Sequence, residues 1–321
     1  MNFSKFKIAV VIPAYRVERD VQDVLRGIPA YIKTIIVVDD ASPDSGADLV
    51  AAAAKRDKRI ILICHEQNQG VGGAMVTGFR KALELGAEIV IKLDGDGQMD
   101  PAYIPALVRP LIDGAADYTK GNRFRDFQSL KQMPLIRRIG NLGLSFLTKA
   151  ATGYWNIFDP TNGYFAIRAD VLAQLPLERL DKRYFFETSM LANLYLINAH
   201  VADIPIPARY RNETSQLSIR QSLFEFPLKL GGTFLRRILL KYYIYDFSIL
   251  SLYLVIGLPL LMFGLVFGTV KWIEYASQNT PAPTGTVMLP TLCVLLGIQI
   301  LLSAVDLDIK SAPQKPLSLP L

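Results

Sequence analysis

Four short, largely apolar runs punctuate the first hundred positions, at residues 8–12, 34–38, 60–63 and 89–93. Runs of four or five residues rich in Ile and Val read as strands buried on both faces, as the strands of a parallel sheet are. Between them, apolar residues recur at helical spacing over 21–28, 47–56, 73–85 and 102–112. This alternation predicts a doubly wound α/β domain, placed at residues 1–215, whose ligands bind beyond the carboxyl ends of its strands.

Further along, the pattern changes. Leu135, Ile136, Ile139, Leu142, Phe146 and Leu147 share one helical face, with Arg137, Arg138 and Lys149 off it. Phe234, Leu235, Ile238, Leu239 and Tyr242 do the same beside Arg236, Arg237 and Lys241. Basic amphipathic helices of this kind lie in the headgroup plane of a bilayer; ordinary surface helices give a similar pattern. An interfacial helix is expected at about 130–150, and juxtamembrane amphipathic helices over 216–246. Residues 247–270 and 287–305 carry no charge. At roughly 1.5 Å per residue they reach about 36 and 28 Å, enough to cross a hydrocarbon core. The short connector makes them a two-helix transmembrane hairpin spanning 247–305, and Gly257, Pro259, Gly264 and Gly297 are tolerated in such helices. Glycine-bearing spans can also pack against copies of themselves, so a homo-oligomer is expected. The tail, 306–321, is Pro-rich after Lys310 and is expected to be disordered.

Composition and charge sharpen this picture. The 321 residues are 51% hydrophobic, more than an ordinary soluble enzyme carries, and the excess lies near the C-terminus. Arg236, Arg237 and Lys241 precede the first span, and Lys310 and Lys315 follow the second, whereas the connector holds only Lys271 beside Glu274. The positive-inside rule then puts the N-terminal domain and the tail on the cytoplasmic face of the inner or plasma membrane. The first apolar run is too short for the core of a signal peptide, so no leader is expected. The net charge of +6 crowds near the spans, which suits anionic lipid rather than nucleic acid. Two cysteines, Cys64 in a predicted strand and Cys293 within a span, argue against a structural disulfide.

The chemistry-bearing residues gather at the predicted strand ends. Asp94-Gly95-Asp96, with Gln98 close behind, ends the fourth run. Glycine lets the backbone bend so that both carboxylates can face one hard cation, with phosphate oxygens and water completing its shell. Such a site neutralises a departing diphosphate, although Asp-Gly-Asp is also a common surface turn. Asp39-Asp40-Ala41-Ser42 follows the second run, where an acid can accept from a ribose or a base N–H. The bland alternative is that Asp40 or Ser42 caps the turn. Asn68-Gln69-Gly70-Val71-Gly72-Gly73 opens the helix after the third run, where glycines let backbone amides approach a phosphate or sugar. Neither the dinucleotide G-x-G-x-x-G nor the P-loop G-x-x-x-x-G-K is present. Asp159-Pro160-Thr161-Asn162-Gly163 punctuates a loop. Arg123, Arg209 and Arg211 are guanidiniums suited to phosphate. His65 and His200 lack metal-ligand partners at useful spacing and read as structural.

Taken together, Pro13-Ala14-Tyr15, the Asp39–Ser42 segment, the Asn68–Ala74 loop, Asp94–Gln98 and Asp159–Phe165 resemble the inverting GT-A (Rossmann-like) glycosyltransferases of the dolichyl-phosphate mannose synthase type. With two C-terminal spans, the chain is most similar to the bacterial bactoprenol-phosphate glucosyltransferases. The resemblance runs from about Lys7 to the end of the second span. It implies a nucleotide-sugar pocket using Pro13, Ala14, Tyr15, Asp39, Asp40, Asn68, Gly70, Asp94 and Gly95, with Glu187 and Arg211 as further members. It implies Mg²⁺ or Mn²⁺ on Asp94 and Asp96, with Gln98 at the metal or acceptor-phosphate position. Arg123 and one of Arg137 or Arg138 would receive the lipid phosphate, and Asp159 would sit beside the acceptor. The Gly72-Gly73 pair in the donor loop and Arg211-Asn212-Glu213 depart from mannose synthases. The expected donor is therefore UDP-glucose, with UDP-galactose, UDP-N-acetylglucosamine and GDP-mannose behind it.

The expected acceptor, undecaprenyl or another polyprenyl phosphate, is already ionised near neutral pH. Positioning it in line with the anomeric carbon and stabilising the leaving diphosphate are then the main tasks, and Asp159 is expected to orient rather than to act as an obligatory base. A processive polysaccharide synthase is disfavoured by the absence of Q-x-x-R-W and by having only two spans. A silent membrane anchor is disfavoured by the intact acids at the strand ends. A soluble nucleotidyltransferase gives no reason for the spans.

Overall fold

A computed structural model describes residues 3–123, 135–207 and 219–317, apart from the side chains of 135–142 and 219–224. The chain divides into two compact units, Met1–Phe234 with Pro313–Leu321, and Leu235–Ala312.

The first unit is built on a seven-stranded sheet in the order β3-β2-β1-β4-β6-β5-β7. The four predicted strands are present as β1 (Ile8–Ala14), β2 (Thr34–Asp39), β3 (Ile60–Cys64) and β4 (Ile89–Lys92), all mutually parallel. Their continuous apolarity has a direct cause in the pleat, which sends successive side chains to opposite faces. Ile8, Val10 and Ile12 pack with α1 (Val21–Gly27), α2 (Gly46–Arg56) and α4 (Ile104–Ile112). Ala9 and Val11 pack with α3 (Val71–Glu84) and with α7 (Phe186–Leu196) on the other side.

The other half of the sheet holds three strands that the apolar runs did not mark, and it is mixed. β6 (Phe165–Arg168) runs antiparallel to both β4 and β5 (Tyr118–Asn122), and β5 pairs in parallel with β7 (Val201–Pro205). These strands are four or five residues long and carry Lys120, Arg168 and Asp203, so no apolar run marks them. Between β5 and β6 lies α5 (Leu135–Thr152), close to the expected amphipathic helix; the one-turn α6 (Ala169–Leu172) follows β6. Leu144, Phe146 and Leu147 on α5 are exposed.

α8 (Ile219–Leu239) leads into the second unit, which holds α9 (Ile249–Ser277) and α10 (Thr284–Lys310). Both are long and apolar enough to cross a membrane. α9 extends past its charge-free run, with the Lys271–Glu274 pair and the aromatic Trp272 and Tyr275 continuing it into the expected connector as far as Ser277. The glycines serve the hairpin itself. A Cβ at Gly264 would lie 2.9 Å from the Pro290 carbonyl oxygen and the Val294 nitrogen, and one at Gly297 would lie 2.8 Å from the Leu261 nitrogen. The close approach that suggested self-association is thus used within one chain.

The tail expectation is also corrected over the described residues, the last of which is Leu317. Its amide donates to both carboxylate oxygens of Asp117, at 3.0 and 2.9 Å, and Asp117 also accepts the His200 amide at 2.7 Å. Backbone groups of a Pro-rich segment can be satisfied by one well-placed buried carboxylate. Both cysteines are free, as expected.

Candidate active site

Parallel pairing brings the strand-end motifs to one edge of the sheet. Ala14 pairs with Asp39, and Val11 with Lys92, so residues after β1, β2 and β4 emerge side by side. There they line an open cleft of about 910 Å³. Of the sequence candidates, Pro13, Ala14, Tyr15, Asp40, Asn68 and Gly70 line one part of it. Asp94, Gly95, Asp96, Arg123 and Glu187 line the rest. Asp39, Gln98 and Asp159 are not on the wall. Arg211 lies outside the described residues; Arg137 and Arg138 are on α5, but their side chains are likewise outside the description.

The two acids after β2 have different surroundings. Asp40 holds the neighbouring loop: its carboxylate accepts the Gln69 amide at 2.8 Å and the Gly70 amide at 2.7 Å and meets His65 Nδ1 at 2.8 Å. The other nitrogen of His65 reaches Thr77 Oγ1 at 2.9 Å, which makes this histidine the structural residue expected. Asp39 is buried; Oδ2 accepts the Ser42 amide at 3.2 Å, and Oδ1 is buried without a hydrogen-bond partner among the described residues. Burial pushes its carboxyl pKa upward. Such an acceptor is costly unless a donor arrives.

Under the cleft lies a lysine that sequence reasoning passed over. Lys92 ends β4 with its side chain 1% exposed; Nζ is 2.7 Å from Asp94 Oδ1 and 3.5 Å from Glu187 Oε1. Burial alone would lower its pKa, but the two carboxylates outweigh burial and raise it. The available signal was a charge inside an otherwise apolar strand run, which requires a partner. Arg183, Tyr184 and Thr161 also line the cleft without having been singled out. Arg183 and Tyr184 arrive there because residues 181–185 pack over the start of α3, where the Gly72 amide donates to the Lys182 carbonyl at 2.9 Å.

Arg123 and Asp159 form a two-point pair, Nε to Oδ2 at 2.8 Å and Nη2 to Oδ1 at 3.1 Å, and the Arg123 amide adds a bond to Oδ2 at 3.2 Å. Asp159 is fully buried. Burial would raise its pKa, yet Arg123 and Lys120 hold it below the ordinary carboxylate value. Lys120 is buried behind it and donates to the Asp159 carbonyl oxygen. Desolvation lowers the Lys120 pKa to about 8.

For a divalent cation, Asp94 and Asp96 offer hard oxygen donors on the cleft wall. Asp96 Oδ1 accepts the Gln98 amide at 2.9 Å, which sets the turn, while the Gln98 side chain is exposed. Among the described residues no cluster of three or more His, Cys, Asp or Glu side chains is arranged to hold a metal. The carboxylate pair therefore fits a cation that draws its remaining ligands from a bound diphosphate.

Residues 9–175 match the sequence profile described as Glycosyl transferase family 2. The chain belongs to that family. Among its relatives within family 2 is the UDP-N-acetylglucosamine–dolichyl-phosphate N-acetylglucosaminyltransferase of Methanococcus voltae. It is 33% identical over 216 residues, covering 63% of this chain and 86% of the relative. The undecaprenyl-phosphate mannosyltransferase of Micrococcus luteus is 30% identical, covering 54% and 70%. Among solved structures, glucosyl-3-phosphoglycerate synthase from Mycobacterium tuberculosis, crystallised with Mn²⁺, UDP-glucose and phosphoglyceric acid, is similar with a TM-score of 0.52. It is 20% identical, covering 72% of this chain and 79% of that one. The shared fold is the GT-A fold, and this family 2 protein is a glycosyltransferase.

Proposed function

We propose that this glycosyltransferase transfers one hexose unit from a UDP-sugar to a polyprenyl phosphate at a membrane surface, inverting the anomeric carbon. The observation that carries the donor half is the Asp94–Asp96 pair on the wall of the same cleft that Pro13, Ala14, Tyr15 and Asn68 line. The pair suits the diphosphate end of a nucleotide sugar, and the strand-end residues beside it suit its nucleoside. The acceptor half rests on the names of the relatives from Methanococcus voltae and Micrococcus luteus and on two helices fit to cross a bilayer. The exposed Leu144, Phe146 and Leu147 of α5 suit a headgroup layer. The basic residues flanking the helices support a cytoplasmic position for the catalytic domain and tail.

The sugar is placed as N-acetylglucosamine first, following the Methanococcus voltae relative, and glucose second, following the motif resemblance. Asp94 and Asp96 would hold Mg²⁺ or Mn²⁺, which supplies charge neutralisation for the departing diphosphate. An oxygen of the acceptor phosphate attacks the anomeric carbon as its bond to the diphosphate oxygen breaks, and UDP leaves. The acceptor is ionised, so no proton has to be removed. Arg123 presents positive charge at the cleft and is oriented by Asp159, whose two oxygens it engages. Asp159 thereby acts as an orienting group.

The test is release of UDP or GDP by the purified full chain in detergent, with Mg²⁺ and undecaprenyl phosphate, across a panel of nucleotide sugars. Turnover of a UDP-sugar that requires the lipid phosphate and disappears in Asp96→Ala is expected. Absence of lipid-dependent turnover with every donor overturns the reading.

A further inference from the structure

We infer that Lys92 is a built-in counter-ion that keeps the acidic pair weakly metal-binding until a nucleotide diphosphate is present, so that cation and nucleotide bind together. The inference rests on the reading of Asp94 and Asp96 as cation ligands. Lys92 Nζ already occupies Asp94 Oδ1 at 2.7 Å and lies 3.5 Å from Glu187 Oε1. The ammonium has no room to swing aside. Its strand is interior, pairing with Val11 of β1 and Phe165 of β6. A Cβ at Gly163 would stand 2.5 Å from Nζ and 3.1 Å from Glu187 Oε1, so the Asp159–Gly163 loop closes tightly over the pair.

A cation approaching the empty cleft therefore meets Asp94 already neutralised, and no third metal-ligating side chain joins the pair among the described residues. Diphosphate changes the balance by adding negative charge and oxygen ligands on the solvent side of the site. A fixed positive charge a few ångströms away also discourages a second cation and holds Asp94 in one orientation. Lys92 is a positioning residue in this account; the transfer proceeds without bonding to it.

The experiment is Mn²⁺ binding to the purified full chain, followed by electron paramagnetic resonance of free Mn²⁺, with and without UDP. In the unmodified protein, UDP is expected to raise the apparent Mn²⁺ affinity at least tenfold. In Lys92→Gln, which keeps a hydrogen-bond donor and removes the charge, nucleotide-free Mn²⁺ affinity should rise by about tenfold or more, the scale of one nearby charge at intermediate dielectric. Lys92→Met should do the same. Asp96→Asn should abolish binding in every background.

Equal Mn²⁺ affinity with and without UDP in the unmodified protein overturns the inference without any variant. Nucleotide-dependent binding that Lys92→Gln and Lys92→Met leave unchanged also overturns it, while preserving Asp94 and Asp96 as ligands. Absence of Mn²⁺ binding even with UDP overturns the cation reading of the site itself.

Discussion

Asp39 ends β2 with one carboxylate oxygen on the Ser42 amide and the other buried with nothing to accept. Asp159 is different, because Arg123 engages both of its oxygens and keeps it ionised below the ordinary carboxylate range. Asp159→Asn should lower kcat without shifting the pH at which activity rises; loss of that rising limb would instead make it a base. Lys120 titrates at about 8 in the folded chain, below the ordinary lysine value of 10.5. Between those values the unfolded chain carries a proton that the folded chain lacks, so stability rises with pH across that window. Below about pH 8 the penalty of the buried charge is present in full. The unmodified protein should therefore gain stability relative to Lys120→Met from pH 8 to pH 10, read from melting temperatures in detergent. The strand-end acids were legible in the sequence because they interrupt apolar runs. Lys120 was not, because its strand has no such run.

At the scale of elements, the glycine-rich loop before α3 shows what a motif reading misses. Its glycines suggested close approach to a phosphate or sugar, and Gly70 does line the cleft. Gly72 is demanded by something else: a Cβ there would stand 2.1 Å from the Asp181 carbonyl oxygen and 2.9 Å from the Phe186 ring. Gly72→Ala must separate α3 from the 181–185 loop that carries Arg183 and Tyr184 to the cleft. Destabilisation of about 1–3 kcal/mol is expected from such overpacking, with a raised donor KM, measured by denaturant titration and kinetics on the same preparation. β1 to β4 could be read from the sequence because strands covered on both faces are continuously apolar. β5, β6 and β7 escaped because they are short, and their charges are compensated by partners elsewhere, as Asp203 is by the Phe158 amide at 2.8 Å.

Across the whole chain, the apolar pair α9 and α10 forms its own unit, closed by a buried polar knot. Arg237, 1% exposed, engages Asp308 through Nη1 at 2.6 Å and Nη2 at 2.9 Å, and Tyr242 Oη donates to Asp308 at 2.6 Å. Asp308→Ala leaves a buried guanidinium uncompensated and should cost about 3–5 kcal/mol, whereas Arg237→Leu combined with Asp308→Leu should recover much of that loss. Denaturation in mixed micelles distinguishes the two. By itself the sequence determined the alternation of strand and helix, the two long apolar helices, and the position of the acidic motifs at strand ends. All of these follow from periodicity and run length, which are local properties. Only the tertiary structure decided that β6 runs antiparallel and that Gly257, Gly264 and Gly297 serve the hairpin. It also decided which acids are engaged: Asp40 by its loop, Asp94 by Lys92 and Asp159 by Arg123, with Asp39 Oδ1 left without a partner among the described residues. The partners of Asp40 and Asp159 lie tens of positions away, where no window along the chain contains both, and although Lys92 is two positions from Asp94, only its burial in the sheet commits it to that carboxylate.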